Sequence, residues 1–190
     1  MNGKNQIVDL LLDTAKGFHD IGFSCAAHLK EDQNRTVIQR MPVAAVDLSF
    51  SAELYLKAIH LLKKNLVRGH KLHDLFNVLD EKSKSEINEL FIKHLDSNPD
   101  NKLLPSFELK IYKEERESKS DKDIDHKQAD DLETFLKNHN QTFENWRYIH
   151  ELNDEGYHLH ANFKYFHCFI SVLQGFIFIH KRGNDMFLQI

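Results

Sequence analysis

Residues that could do chemistry lie in two short stretches of the chain, at 53–74 and 143–151. In the first stretch, Glu53 and Lys57 are four positions apart, so on a helix they occupy the same face. Both stand close to the apolar positions of that helix rather than opposite them. The pair could point into a cleft, or it could be a helix-surface ion pair that contributes only about 0.5 kcal/mol.

A basic turn, RGHKLHD, follows at 68–74 and contains His70 and His73. Backbone N–H groups in a turn before a helix start could hold an anion. The alternative is that His70 caps or packs within the turn. No third ligand stands at a recognisable spacing from the two histidines, so we predict no metal site. P-loop, GxGxxG, CxxC and HExxH patterns are absent from the sequence, and we predict no cofactor.

The second stretch, FENWRYIHE at 143–151, combines an arginine with a histidine. If it is helical, Arg147, His150 and Glu151 lie on one face. An arginine can hold a phosphate through two hydrogen bonds, and a histidine can move a proton, so the combination suits phosphodiester chemistry. The alternative is that Arg147 and Glu151 simply pair with each other.

Hydrophobic periodicity predicts helices along most of the chain. Gly numbers 7 and Pro 3 among 190 residues, and this scarcity of chain breakers favours helices over many short strands. We predict an all-α antiparallel bundle of five to six helices that forms a single domain over 1–190. The predicted helices span 7–29, 42–66, 72–79, 83–95, 132–139 and 157–182.

The stretch 97–127 interrupts this pattern. It contains the run KEERESKSDKDIDHK, in which charges of both signs alternate and apolar residues are nearly absent. Runs of mixed charge are usually solvated. We therefore predict a charged loop or insertion within the helical domain.

Composition indicates a cytoplasmic protein. The formal net charge is −4, which is not the basic character of a nucleic-acid-binding surface overall, although a local basic patch is compatible with it. Cys25 and Cys168 both lie in apolar helical patterns, as is typical of buried thiols in a reducing compartment. No signal-peptide pattern opens the sequence. The longest apolar run, at 168–179, is short of the roughly 20 residues that a membrane span needs, so we predict no membrane association.

Taken together, the two stretches resemble a branch of bacterial HEPN-domain proteins (higher eukaryote and prokaryote nucleotide-binding). This branch has a glutamate followed by LKA in a long helix, then GHxL at the next helix, then an aromatic-x-x-WRYxxE stretch. The resemblance covers about 40–180. The matching residues are Glu53, Leu56, Lys57, Ala58, Gly69, His70, Leu72, Leu75, Phe143, Trp146, Arg147, Tyr148 and Glu151.

The resemblance implies a helical bundle that forms a homodimer and binds RNA or a nucleotide. Many relatives are metal-independent endoribonucleases of toxin–antitoxin, abortive-infection and phage-defence systems, which implies an antitoxin or another operon partner. On this hypothesis Arg147 and His150 are the catalytic residues. The remaining binding residues are Glu53, Lys57, His70 and Glu151, which position them across a dimer cleft.

A second hypothesis is a non-catalytic helical dimerisation or interaction module. Active relatives have a polar residue after the arginine and a histidine four to six positions after it. Here Tyr148 follows Arg147, and His150 comes three positions after the arginine. In a non-catalytic module, the Glu53–Lys57 and Arg147–Glu151 pairs would only lock helices together. Convergence of Glu53, His70, Arg147 and Glu151 in an open cleft would favour the first hypothesis.

Overall fold

The computed structural model describes residues 3–29, 36–111, 131–147 and 157–187. This part of the chain is an all-α helical bundle with one small two-stranded sheet, which confirms the predicted fold class. The helices are α1 (Gly3–His28), α2 (Thr36–Leu62), α3 (Leu72–Asn77), α4 (Glu81–Ser97), α5 (Leu132–Asn138), α6 (Thr142–Arg147) and α7 (Phe163–Phe187). The strands are β1 (Ser106–Ile111) and β2 (Tyr157–Asn162), and a 3₁₀ helix spans Pro99–Leu103.

Helix α1 packs antiparallel to α2. Ser51 donates a hydrogen bond to the carbonyl of Ala15 at 2.8 Å, whereas the later Gly22 lies against the earlier Leu48. A Cβ on Gly22 would stand 2.8 Å from Cγ of Leu48 and 3.0 Å from its backbone N. The absence of a side chain at Gly22 therefore permits the close approach of the two helices, whereas Gly17 has open space around it.

Helix α7 is also antiparallel to α1. His19 and His167 share a hydrogen bond of 2.9 Å, and Lys181 pairs with Asp9 at the other end of the two helices. Over Phe163–Lys181, α7 is long and apolar enough to span a membrane by length and composition, but more than half of that stretch is buried inside the protein. A core helix of a soluble protein has the same features, and α7 is compatible with that assignment.

Helix α2 ends at Leu62, earlier than the predicted end near Leu66. The N–H of Asn65 donates to the carbonyl of His60 at 2.8 Å, and the N–H of Lys64 donates to the carbonyl of Leu61 at 3.0 Å. This pair of bonds is a Schellman motif, and Lys64 adopts the left-handed conformation it requires, with φ 63°. Gly69 lies further on, in the α2–α3 loop, with φ 109°.

Helices α2 and α4 begin before their predicted starts. Helix α2 begins at Thr36, and Pro42, predicted for its first turn, lies inside it. Helix α4 begins at Glu81 because the Asp80 side chain accepts the N–H of Ser83 at 3.0 Å, so Asp80 is the N-cap and Ser83 is not. The Lys63 ammonium and this N–H hold the pKa of Asp80 well below its usual range.

The sheet corrects the predicted start of the last helix. Residues 157–162 form β2, and α7 begins only at Phe163. Strand β1 lies within the predicted loop 97–127, most of which is outside the described residues. Both strands alternate apolar with polar residues, SFELKI and YHLHAN, which is the period of a strand. The antiparallel register places Phe107 opposite Ala161.

Candidate functional site

Glu53 is a buried carboxylate in the middle of the central helix. Helix α2 is contacted by α1, α3, α6 and α7, so it has little solvent-facing surface. The Glu53 side chain is 1% exposed, and its Oε1 lies 2.6 Å from Nζ of Lys57. The two residues therefore do not form the helix-surface ion pair that was the alternative interpretation. A buried carboxylate is costly unless it is paired, and Lys57 supplies the compensating charge.

The same carboxylate oxygen of Glu53 also contacts the α2–α3 loop. Nδ1 of His70 lies 3.0 Å from Oε1 of Glu53. An ionised carboxylate only accepts hydrogen bonds, so Nδ1 of His70 must carry the hydrogen. The His70 side chain is 54% exposed, and its other nitrogen, Nε2, is on the opposite side of the ring from Glu53. The carboxylate therefore sets both the tautomer and the orientation of an accessible imidazole.

The second oxygen of Glu53 is enclosed. Oε2 is buried and has no hydrogen-bond partner among the residues that the structure describes. A buried acceptor without a partner costs about 1–3 kcal/mol, so it is seldom retained without a function. Because Oε2 is surrounded by protein, the carboxylate cannot rotate freely, and Oε1 is held towards Lys57 and His70.

Helix α6 completes the site with an aromatic ring and a cation. The ring of Phe143 stacks on Phe50 of α2 at 5.1 Å and lies 6.2 Å from the His70 ring. The guanidinium carbon of Arg147 lies 5.5 Å from the centre of the Phe143 ring, and Arg147 is exposed. Trp146 is 2% exposed and fixes α6 in the core. A continuous series of contacts thus runs from Arg147 through Phe143 and His70 to Glu53.

Asn140, in the turn between α5 and α6, connects this region to α3. Its side-chain oxygen accepts the backbone N–H of His73 at 2.8 Å, and its amide nitrogen donates to Asp74 at 3.5 Å. These bonds satisfy an N–H of the first turn of α3, where intrahelical partners are lacking. They also place the loop that carries His70 beside the start of α6.

The structure therefore brings together part of the site predicted from the sequence. Glu53, Lys57 and His70 are in direct contact, and Arg147 joins them through Phe143. The predicted catalytic His150 and the predicted binding residue Glu151 lie outside the described residues. Among the described residues, no group of three or more His, Cys, Asp or Glu side chains could hold a metal ion.

Two contributors were not identified as site residues from the sequence. Phe143 entered only as a position of the motif, although its spacing of four from Arg147 would place the ring beside the guanidinium on a helix. Phe50 packs against the hydrophobic core, and no local sequence signal distinguishes it from the other apolar residues of α2. Comparison of the chain with protein-family models, curated proteins and solved structures found no match.

Proposed function

We propose that the chain is a HEPN-like protein that binds RNA or a nucleotide at the surface formed by Lys57, His70, Phe143 and Arg147. We further propose that it is a metal-independent endoribonuclease of a toxin–antitoxin or phage-defence system. The observation that carries this proposal is the buried Glu53 carboxylate, which holds both Lys57 and the exposed His70 beside Phe143 and Arg147.

The chemistry of this surface matches a nucleic-acid strand. Arg147 offers a planar group of donors that fits two phosphate oxygens, and the ammonium of Lys57 adds a second positive charge. The exposed guanidinium of Arg147 provides a flat face of the kind on which unpaired bases stack, and the Phe143 ring supports it from the other side. A base and its neighbouring phosphate are therefore the ligand groups that these side chains suit together.

RNA can be cleaved without a metal ion because its 2′-hydroxyl can attack the adjacent phosphorus. The protein then needs a group that accepts the hydroxyl proton and cations that stabilise the charge on the phosphate. Arg147 and Lys57 are the cations, and a histidine of the site is the proton acceptor. We propose that the enzyme works in the cytoplasm as a homodimer, with an antitoxin or another operon partner that controls it.

The second candidate function is a non-catalytic dimerisation module, and the exposed face of α1 favours it. Ile7, Leu10 and Ile21 are 55%, 67% and 54% exposed, and Thr14 and Gly17 stand between them. The resulting spacing, alternately three and four residues, is that of a helix-pairing seam. Two copies of this seam, crossing antiparallel at the small residues, would place Ile21 of one copy near Leu10 of the other.

Assays of RNA cleavage and of mass in solution test the two candidates. We expect purified protein to cut a single-stranded RNA in the presence of EDTA, and Arg147→Ala to reduce the rate about 100-fold. Failure of the wild-type protein to cleave or bind RNA, together with a dimer that Leu10→Glu dissociates, would favour the interaction module. His150→Ala, prepared in parallel, tests the catalytic residue that was predicted from the sequence.

A further inference from the structure

We infer, on the basis of the proposed ribonuclease function, that His70 is the proton-transferring residue of the site and that Glu53 positions it. His70 was predicted only as a binding residue, and the catalytic role was assigned to His150. The structure instead gives His70 a buried carboxylate partner at 3.0 Å and an exposed outer edge. This arrangement is typical of a histidine that is oriented for proton transfer.

The direction of the hydrogen bond between His70 and Glu53 determines which nitrogen of His70 can accept a proton. Nδ1 of His70 donates to Glu53, so Nε2 carries a lone pair in the neutral ring and can accept a proton. The hydrogen bond to Glu53 sets the orientation of the imidazole, and the ring of Phe143 lies nearly parallel to it, 6.2 Å away with an interplanar angle of 22°. Nε2 is therefore the atom that a bound hydroxyl would meet.

The backbone before His70 contributes to its placement. Gly69 has φ 109°, a conformation that other residues rarely adopt. A Cβ at this position would meet nothing within 4 Å, so the need for glycine is conformational and does not arise from crowding. At Gly69 the α2–α3 loop turns back towards α2, and this turn places His70 beside Glu53.

Lys57 completes the charge balance. Its ammonium lies 2.6 Å from the oxygen of Glu53 that also holds His70, and it is partly exposed. This positive charge offsets the burial of the Glu53 carboxylate, whose Oε1 also contacts Nδ1 of His70. When Nε2 receives a proton, the new imidazolium lies against a carboxylate that is held in place and needs little rearrangement.

The reaction step balances within the substrate and the protein. Nε2 of His70 takes the proton of a ribose 2′-hydroxyl, and the 2′-oxygen forms a bond to the adjacent phosphorus. The bond from phosphorus to the 5′-oxygen of the next nucleotide breaks, and that oxygen takes a proton from water. The hydroxide that remains recovers the proton from His70. The products are a 2′,3′-cyclic phosphate and a 5′-hydroxyl, and no oxidant, metal or co-reactant is consumed.

Rates of RNA cleavage by four variants test the assignment. We expect His70→Gln to lower the rate at least about 100-fold, as is usual when a general base is removed. The matched loop variant His73→Gln should keep the wild-type rate, and His150→Ala distinguishes His70 from the catalytic residue that was predicted from the sequence. Glu53→Gln should lower the rate about tenfold, because the uncharged amide no longer stabilises the imidazolium that forms during proton transfer.

Nitrogen chemical shifts of the histidine rings test the positioning role without reference to activity. In protein labelled with ¹⁵N-histidine, we expect neutral His70 to be protonated at Nδ1. Protonation at Nε2 in the wild type would overturn the role of Glu53.

The cleavage rates distinguish the assignment of His70 as the proton-transferring residue from the proposed ribonuclease function. A wild-type protein that cleaves RNA while His70→Gln is equally active would overturn the assignment and leave the proposed function intact. Loss of activity in His150→Ala, with His70→Gln still active, would return the role to His150. A wild-type protein that does not cleave RNA at all would overturn the ribonuclease proposal and the assignment together.

Discussion

Nδ1 of His70 lies 3.0 Å from Oε1 of Glu53, and this contact joins a side chain that is 54% exposed to one that is 1% exposed. Seventeen positions separate the two residues in the chain. The α2–α3 loop is therefore fixed to the central helix at the point where it reaches the surface. The other residues of the proposed site lie around this contact. Lys57 pairs with the same carboxylate oxygen, and the Phe143 ring, which lies under Arg147, is next to the His70 ring.

Replacing Lys57 by Met should destabilise the protein, because it leaves the buried Glu53 carboxylate without its ammonium partner. We expect a loss of about 2 kcal/mol in the free energy of unfolding, below the range for fully buried pairs because Lys57 is partly exposed. Urea denaturation monitored by circular dichroism measures the change. Lys16→Met is the matched control, since Lys16 and Asp20 form an exposed pair with the same spacing, and no measurable loss is expected there. Equal effects in both variants would show that burial of Glu53 has no energetic consequence.

Substitution of two glycines of α1 by alanine should have opposite effects. Gly17→Ala should stabilise the protein by about 0.5–1 kcal/mol, because its Cβ would meet nothing within 4 Å and alanine favours a helix. Gly22→Ala should cost about 1–3 kcal/mol, because its Cβ would overlap Leu48. Thermal denaturation of the two variants under one set of conditions gives both signs. Stabilisation by Gly22→Ala would contradict the close approach of α1 and α2.

Replacing Lys64 at the end of α2 by glycine should stabilise the protein. Lys64 has φ 63°, a left-handed conformation that costs a residue with a side chain about 1 kcal/mol relative to glycine. We expect Lys64→Gly to raise the melting temperature by a few degrees. The converse change, Gly69→Ala at φ 109°, should lower it by a similar amount. A fall in melting temperature for Lys64→Gly would mean that the Schellman motif is not formed.

Stability should decrease in mild acid because of the contact between His19 and His167. Burial lowers the pKa of both histidines, and that of His167 falls to about 4 from an ordinary value of 6.5. The folded state therefore binds fewer protons than the unfolded chain in this range, so stability is complete above pH 6.5 and declines as the pH falls towards 4. Since some water reaches the pair, we expect about 1–2 kcal/mol, less than the full shift implies.

The groups around the two histidines define the control for this pH effect. Asp20 and Asp100 favour the protonated rings, whereas Lys16 and His94 oppose them, and the Asn98 amide lies 3.4 Å from Nε2 of His167. His167→Asn removes the group with the larger shift, so its free energy of unfolding should vary less between pH 7.5 and pH 4.5 than that of the wild type. An unchanged pH dependence in His167→Asn would assign the effect to other residues.

Local sequence patterns predicted the helices well and their ends less well. The periods of α1, α4 and α7 are long and regular, so their existence was predictable. The end of α2 depends on Lys64 taking a left-handed conformation, and lysine carries no signal for it. The start of α4 depends on the side chain of Asp80, which lies before the predicted start at 83. The strand at 157–162 has a period-two pattern that was absorbed into the neighbouring helix.

The sequence predicted which types of residue form the site, but it did not predict which of these residues are in contact. The spacing of Glu53 and Lys57 indicated a shared helix face, but burial of Glu53 follows from the helices that surround α2. The contact of His19 with His167 joins positions 148 apart, and single histidines in helices give no sign of such a partner. The stacking of Phe143 on Phe50 likewise depends on the docking of α6 against α2.

The affinity of the protein for a short single-stranded RNA, measured by fluorescence anisotropy at fixed salt, tests the central claim most directly. The matched variants are Arg147→Ala, Phe143→Leu and, as a control on a distant exposed cation, Lys16→Ala. We expect the first two to weaken binding at least about tenfold, through loss of the Arg147 guanidinium and of the aromatic ring beneath it, and the control to bind as the wild type does. Equal affinity in all four proteins would contradict an RNA-binding site at the Glu53–His70 contact.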